Sequence, residues 1–360
     1  MSRSENLKVA LVGCGRIAKR HSQLLGENQI SGAELAGVCD IALEKAQEIG
    51  TRYAVPAFDN IHAIMEEVQP DLAVVLTESG HHARNVIEMA PYGAHIMVEK
   101  PMALKLSDAD EMIKACDQAG IKLFVIKQNR FNVPVVKLHE ALVAGRFGKL
   151  VMGTVRVRWC RPQAYYDQAP WRGTWAMDGG VLTNQASHHI DLLEWMLGDV
   201  VRVSAMTRTA LADIEAEDTG VAILEFQNGA LGVIEATTAT RPKDLEGSIS
   251  ILGEKGSVEI GGFAVNEMKT WNFTEPEPDD GKVLSEYSVN PPNVYGFGHQ
   301  AYYEHVVCAI TQGGPNLVDG LEGRRSLELI NAIYEAVETG QTINLRFRPN
   351  HSRLGEHPAS

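Results

Sequence analysis

The chain has 360 residues, 44% apolar and 22% charged, enough at about 150 residues per domain for two cores without disulfides or metal. Its formal net charge of −13 argues against wrapping nucleic acid or coating an anionic membrane, and no apolar run approaches the roughly 20 residues that span a bilayer. Five cysteines without a CxxC pair or zinc-ligand spacing, and an N-terminus without a signal-peptide pattern, lead us to expect a reduced, cytoplasmic protein with no metal site.

The first third alternates short β-branched runs with segments of helical spacing. Strands are predicted at Leu7–Val12, Leu35–Asp40, Leu72–Thr77, His95–Val98 and Lys122–Lys127. Helices are predicted at Arg16–Leu25, Ala42–Ile49, Ile61–Val68, Ala83–Ala90 and Asp108–Ala119. Apolar strands separated by helices imply crossovers and a parallel sheet covered on both faces. Ser107 is placed as the N-cap of the last of these helices and Gly120 as its stop. Residues 1–128 are therefore expected to form a doubly wound α/β domain.

After Arg130 the pattern changes. A helix at Pro134–Ala144 is followed by a long strand at Leu150–Trp159, an aromatic loop, and a helix at Gln185–Leu197. Strands then follow at Val200–Thr209, Gly220–Phe226, Ala230–Thr238, Gly247–Leu252, Ser257–Ile260 and Met268–Phe273, with Asn228-Gly229 marking a hairpin. Two helical patterns, near Ala301–Thr311 and Arg324–Thr339, complete an α+β domain over residues 129–345, built on a large, mainly antiparallel open sheet. Residues 346–360 read as a polar tail.

The segment VALVGCGRIA, from Val9 to Ala18, is a GxGxxA turn between the first strand and the first helix. Gly13 permits the tight turn and Gly15 lets the backbone approach a pyrophosphate. Ala18 keeps the helix close to the sheet, so that its N-terminus, with Arg16 and Ile17, faces phosphate charge. Asp40 ends the second strand 25 positions after Gly15, where a carboxylate grips an adenosine ribose diol. Ile41 follows it rather than Arg or Lys, which favours NAD over NADP. A tight turn without a ligand and a strand-end helix cap are the plain alternatives.

Lys100, in Glu99-Lys100-Pro101, stands at the carboxyl end of a predicted parallel strand, where α/β sheets bind ligands. A partly desolvated lysine can release a proton or hold an alkoxide, although a surface cation is the ordinary reading. Asn184, His188 and Asp191 are spaced by four and three and share one face if the segment is helical throughout. An imidazole between an amide and a carboxylate is a candidate general base, and a satisfied core histidine is the alternative. His189 reads as structural.

Arg156 and Arg158 project from one strand face, and Arg161 and Arg172 follow within a loop holding Trp159, Tyr165, Tyr166, Trp171 and Trp175. Four arginines against the single acid Asp167 between residues 156 and 172 oppose the charge of the whole chain. Guanidinium forks bind carboxylate or diphosphate, and aromatic faces stack on a base or sugar. Arg158, Arg161, Tyr165, Tyr166, Trp171, Arg172, Trp175 and Asn184 are thus candidate substrate contacts, with a subunit interface or a solvated strand face as the alternative.

GCGRIAKRH, TESGHH, EKPMAL, GRFGKL and DGGVLTNQASHHIDLLEWMLG, in this order, resemble the Gfo/Idh/MocA family of nicotinamide-dependent sugar and cyclitol oxidoreductases over residues 7–345. The resemblance implies an N-terminal Rossmann domain and a C-terminal sheet domain that assembles a homodimer or homotetramer. It implies Lys100 and His188 as catalytic residues with Asp191 nearby, and a cis Lys100–Pro101 bond. It also places Thr77, Ser79 and His82 in a second cofactor loop, with Glu99 and Lys100 beside the cofactor. Many relatives carry Asp where this chain has Asn184, which cannot share a proton, so His188 and Lys100 carry more of the chemistry.

Within the family, residues 156–182 are similar to the branch that oxidises UDP-N-acetylglucosaminuronate at C3 for surface polysaccharide, an anionic nucleotide sugar. The expected reaction is NAD-dependent oxidation of a sugar hydroxyl to a ketone. His188 would take the hydroxyl proton, Lys100 would stabilise the alkoxide, and Asn184 and Asp191 would orient substrate and imidazole. A free-sugar or cyclitol dehydrogenase, an NAD-assisted glycoside hydrolase and a non-catalytic nucleotide-binding protein are the competing expectations.

Overall fold

The computed structural model describes residues 6–288, 298–314 and 317–345; the expected tail at 346–360 lies outside the described residues. In chain order the first part runs β1 (Leu7–Val12), α1 (Ala18–Gly26), β2 (Ala33–Cys39), α2 (Leu43–Tyr53), β3 (Ala57–Phe58), α3 (Ile61–Val68), β4 (Leu72–Val75), α4 (His82–Met89), β5 (His95–Val98), α5 (Leu106–Ala119) and β6 (Leu123–Val125). The six strands are parallel, in the order β3-β2-β1-β4-β5-β6. All four residues of β4 are buried, as an unbroken apolar run requires when helices cover both faces of a sheet. The two-residue β3 is too short to show a strand period, and the sequence reading has no strand there. Gly120 ends α5 at φ +68° as expected. Ser107, by contrast, is not its cap: the helix starts one residue earlier, and the Ser107 hydroxyl bonds to Asp108 Oδ1 at 3.3 Å.

The second part runs α6 (Val133–Val143), β7 (Leu150–Arg158), α7 (Gln163–Tyr166), α8 (Ser187–Leu197), β8 (Val200–Arg208), β9 (Thr219–Phe226), β10 (Leu231–Thr237), β11 (Glu246–Gly253), β12 (Gly256–Gly261), β13 (Glu267–Phe273), α9 (Asp280–Glu286), α10 (Gly298–Thr311), α11 (Gly320–Thr339) and β14 (Ile343–Asn344). Its eight strands lie in the order β13-β12-β11-β7-β10-β9-β8-β14, antiparallel except for the pair β7 and β10. Val155, Val157, Ile234, Ile249 and Ile251 fill the inner face against Ile190 and Leu193 of α8. That approach is close: a Cβ on Gly153 would lie 2.6 Å from Leu197 Cδ1 and 2.8 Å from Leu193 Cδ1. A side chain at Gly153 would therefore lift the helix off the sheet.

Helix α10 and the start of α11 return to the first sheet. Tyr302, Tyr303, Val306 and Leu327 belong to its core, and the Tyr302 hydroxyl donates to Val125 O at 2.7 Å. Burying each such ring contributes about 2–3 kcal/mol. Through His299 this return path reaches a cleft at the carboxyl ends of β1 and β4.

Candidate active site

A cleft of about 750 Å³ opens at the carboxyl ends of β1 and β4, where the strand order of the first sheet reverses, and extends to the N-terminal end of α8. At one end Gly13 has φ +99°, and a Cβ there would lie 2.7 Å from the Leu76 carbonyl carbon and the Thr77 nitrogen. Gly15 has nothing within 4 Å of its missing Cβ, so its bare backbone borders open space that a side chain would fill. Arg16 and Ile17 line this end, ahead of the first turn of α1. Asp40 accepts from Cys14 N at 2.7 Å and Ala42 N at 2.9 Å, which holds its carboxylate at the cleft wall. Lys45, in the first turn of α2, also reaches this wall, a cation that reasoning from Ile41 alone did not place.

Burial, aided by Asp40, pushes the Cys14 and Cys39 thiols up to about 12, so neither is a nucleophile. Thr77, Ser79 and His82 line the same end. His82 spans two loops, with Nε2 2.9 Å from Thr77 O and Nδ1 2.8 Å from Pro101 O. An open glycine cradle, a helix N-terminus and an acid for a ribose diol together fit NAD.

At the other end Lys100, after a cis Lys100–Pro101 bond, donates from Nζ to Asn184 O at 2.7 Å. Its backbone N–H bonds to Glu99 Oε2 at 3.0 Å, while Glu99 Oε1 faces His21 Nε2 at 3.2 Å and His299 Nε2 at 3.6 Å. Burial lowers the affinity of Lys100 for its proton, and Lys127 adds to this; Glu99 and Asp178 oppose both. Burial and Lys100 hold His188 well below the usual imidazole range, so it is neutral and able to accept a proton. The Gln128 side-chain amide lies 2.9 Å from His188 Nε2. With its Oε1, which has no other partner among the described residues, turned to accept from Nε2–H, it fixes the ring at the cleft wall and leaves the lone pair of the other ring nitrogen to take a proton.

Two expectations for this segment need correction. Asn184 is not on the helix with His188, because α8 begins only at Ser187; its side-chain amide instead bonds to Asp178 Oδ1. The backbone turns at Gly179, φ +75°, and at Gly180, where a Cβ would lie 2.3 Å from Glu217 O. Nor does Asp191 hold the His188 ring by a hydrogen bond. Its carboxylate accepts from Arg130 Nε at 2.8 Å and Nη2 at 2.7 Å, and Lys127 Nζ lies 2.9 Å away. Burial raises its proton affinity, but these two cations more than offset that and keep it ionised. Asp191 thus ties α8 to the segment after β6.

The arginine and aromatic residues divide. Arg161, Tyr165, Trp171 and Arg172 line the cleft beside Lys100 and His188. Arg158 does not: it projects from the outward face of the large sheet, bound to Glu235 at 2.6 Å and Glu246 at 3.2 Å. Tyr166 is buried away from the cleft against Thr238 Oγ1 at 2.9 Å. Trp175 packs edge-on against Tyr334, with ring centroids 5.4 Å apart, and does not line the cleft.

Reasoning from sequence passed over Lys127, Gln128, Asn129 and Arg130. All four polar residues are buried just beyond β6. The same carboxyl-end rule that selected Lys100 could have selected this run. It also passed over His21 and His299, whose partner Glu99 is remote in the chain and leaves no local signal, and Asp178, whose partners Gly173 and Asn184 lie within six positions but share no helical or strand period with it.

Residues 7–127 match the Gfo/Idh/MocA model described as "Oxidoreductase family, NAD-binding Rossmann fold", and residues 139–345 match its "C-terminal alpha/beta domain". The chain belongs to the Gfo/Idh/MocA oxidoreductase family. It is 43% identical to the WlbA dehydrogenase of Bordetella pertussis, solved in complex with NADH and UDP-GlcNAcA, at a TM-score of 0.88 over 96% of this chain and 100% of that one. It is 42% identical to the WlbA dehydrogenase of Chromobacterium violaceum, solved with the same two molecules, at a TM-score of 0.90 over 97% and 98% of the two chains. It is also 26% identical to a myo-inositol 2-dehydrogenase of Thermotoga maritima over 94% of this chain and 98% of the relative. The protein is an NAD-dependent oxidoreductase.

Proposed function

We propose that the protein oxidises a hydroxyl of an anionic nucleotide sugar, at C3 of UDP-N-acetylglucosaminuronate, to a ketone. The observation that carries this reading is Arg172. Its guanidinium lies 4.4 Å from the Tyr165 ring centroid and 4.7 Å from that of Trp171, in the same cleft as Lys100 and His188. Its Nε is buried without a hydrogen-bond partner among the described residues. Its Nη1 donates to the Tyr165 hydroxyl at 2.6 Å, and no salt bridge engages the guanidinium among the described residues. A cation so held between two rings can receive an anion, and a charged substrate would complete it. The likeness to the two WlbA dehydrogenases, both solved with UDP-GlcNAcA, supports the same substrate class.

In this reading neutral His188 accepts the hydroxyl proton. The Lys100 ammonium, anchored on Asn184 O, stabilises the negative charge that develops on the substrate oxygen. Gln128 orients the imidazole, and Asn184 lines the cleft beside both groups. Bound NAD supplies the hydride acceptor. Arg172 and Arg161 grip the substrate away from the reacting carbon, so that their binding energy serves orientation. On the outward sheet face, Met206 and Ile223 are each 63% exposed and Leu231 54%. This apolar patch supports a homodimer or homotetramer built through the sheet, to be checked by the mass of the protein in solution.

The test is to mix the protein with NAD and follow the absorbance of reduced nicotinamide on adding UDP-N-acetylglucosaminuronate, UDP-N-acetylglucosamine or myo-inositol. A signal with the uronate alone is expected, even one that stops at a single turnover. A signal with inositol alone would discard the substrate assignment, and silence with all three would overturn the dehydrogenase reading.

A further inference from the structure

We propose that Asp178 is a positioning residue that couples the Arg172 loop to Lys100 and keeps that lysine in its ammonium form during turnover. The inference rests on the dehydrogenase reading above. Asp178 is 2% exposed, and each of its carboxylate oxygens accepts an N–H. Oδ2 takes Gly173 N at 2.8 Å, and Oδ1 takes the side-chain amide of Asn184. Gly173 follows Arg172 directly, and Asn184 O receives Lys100 Nζ at 2.7 Å. A continuous path therefore runs from the anion-binding guanidinium through Gly173, Asp178 and Asn184 to the lysine.

A neutral amide would still accept one of the two N–H groups, and Asn184 could turn its own amide to meet the other, so the hydrogen bonds alone do not call for a carboxylate. A buried carboxylate costs several kcal/mol unless cations answer it. The cations that answer this one are Lys100 and Arg172, one at each end of the path. Lys100 in turn faces few charged or titratable groups. Glu99, itself bound by His21 and His299, and Asp178 favour its proton, whereas burial and Lys127 oppose it. The remaining titratable neighbours, the His188 and His189 imidazoles, are held neutral by burial. Loss of the Asp178 charge therefore lets Lys100 give up its proton at lower pH.

The test is the pH dependence of kcat for the full-length protein with NAD and saturating UDP-N-acetylglucosaminuronate. Wild type is compared with Asp178→Asn, Asp178→Ser and Asp178→Glu, and NAD affinity serves as the check on folding. Asn and Ser remove the same charge with different bulk, so either one that folds is sufficient. In the neutral variants kcat is expected to fall about 10- to 100-fold, the order of loss for a misplaced reacting group. Their alkaline limb is expected to move about one pH unit towards acid, the scale of a nearby charge. Asp178→Glu keeps the limb in place while kcat drops. A neutral variant that loses rate with its alkaline limb unmoved would show a merely structural residue and overturn the coupling. A limb displaced equally in Asp178→Glu would overturn it too. Absence of turnover in the wild type would instead overturn the dehydrogenase reading.

Discussion

Lys100→Met is expected to lower kcat by about 10³-fold, the loss typical of removing a group that meets developing negative charge in a dry site, while NAD affinity stays within about threefold. The lysine is half-buried, and its Nζ is held by Asn184 O at 2.7 Å, so the ammonium is placed before substrate arrives. Methionine matches its length and suits a buried site but offers no N–H donor and no charge. The groups that define the dinucleotide end, Gly13, Gly15 and Asp40, belong to β1, β2 and the turns that follow them, and the substitution leaves them alone. Binding and turnover therefore separate. Calorimetric titration with NAD beside the absorbance assay checks both, and near-normal turnover in this variant would remove Lys100 from the chemistry.

Arg172→Ala is expected to lower kcat/KM for the uronate nucleotide sugar about 100-fold, the upper range for losing a charge-assisted hydrogen bond to an anion. Arg161 compensates only in part, because its Nη1 is already bound to Asp244 Oδ1 at 2.9 Å and to Cys160 O at 2.7 Å. Lysine at 172 is expected to recover only part of the loss, since an ammonium lacks the planar fork that stacks on Tyr165 and Trp171. Arg158→Ala is the internal control. That side chain is on the outward sheet face between Glu235 and Glu246, so kcat/KM should be unchanged. Equal losses at positions 158 and 172 would refute the assignment of the cleft arginine as the anion site.

What was legible in the sequence was local. The GxGxxA turn needs one strand, one turn and one helix start, all within the ten residues from Val9 to Ala18, and the backbone follows that pattern with Gly13 at φ +99°. Lys100 could be read for the same reason: the end of a buried parallel strand is visible in four consecutive apolar-to-polar positions, and topology does the rest.

The tertiary structure decided what local periodicity leaves open. A period of two puts Arg156 and Arg158 on one face of β7 but does not say which face meets α8 and which meets solvent. The packing of β7 between β10 and β11 settled that, and Glu235, Glu246 and Glu259 came with it. Helical spacing likewise joined Asn184 to His188 until the turn at Gly179 and Gly180, where Glu217 leaves no room for a Cβ, moved Asn184 out of the helix and onto Asp178. The Glu99 contacts with His21 and His299, and those of Asp191 with Lys127 and Arg130, join residues tens to hundreds of positions apart. Backbone geometry writes its period into neighbouring residues, so strands, helices and phosphate turns can be read along the chain. The partner of a buried charge depends on which elements meet in space, and only the folded arrangement of both cores determines that.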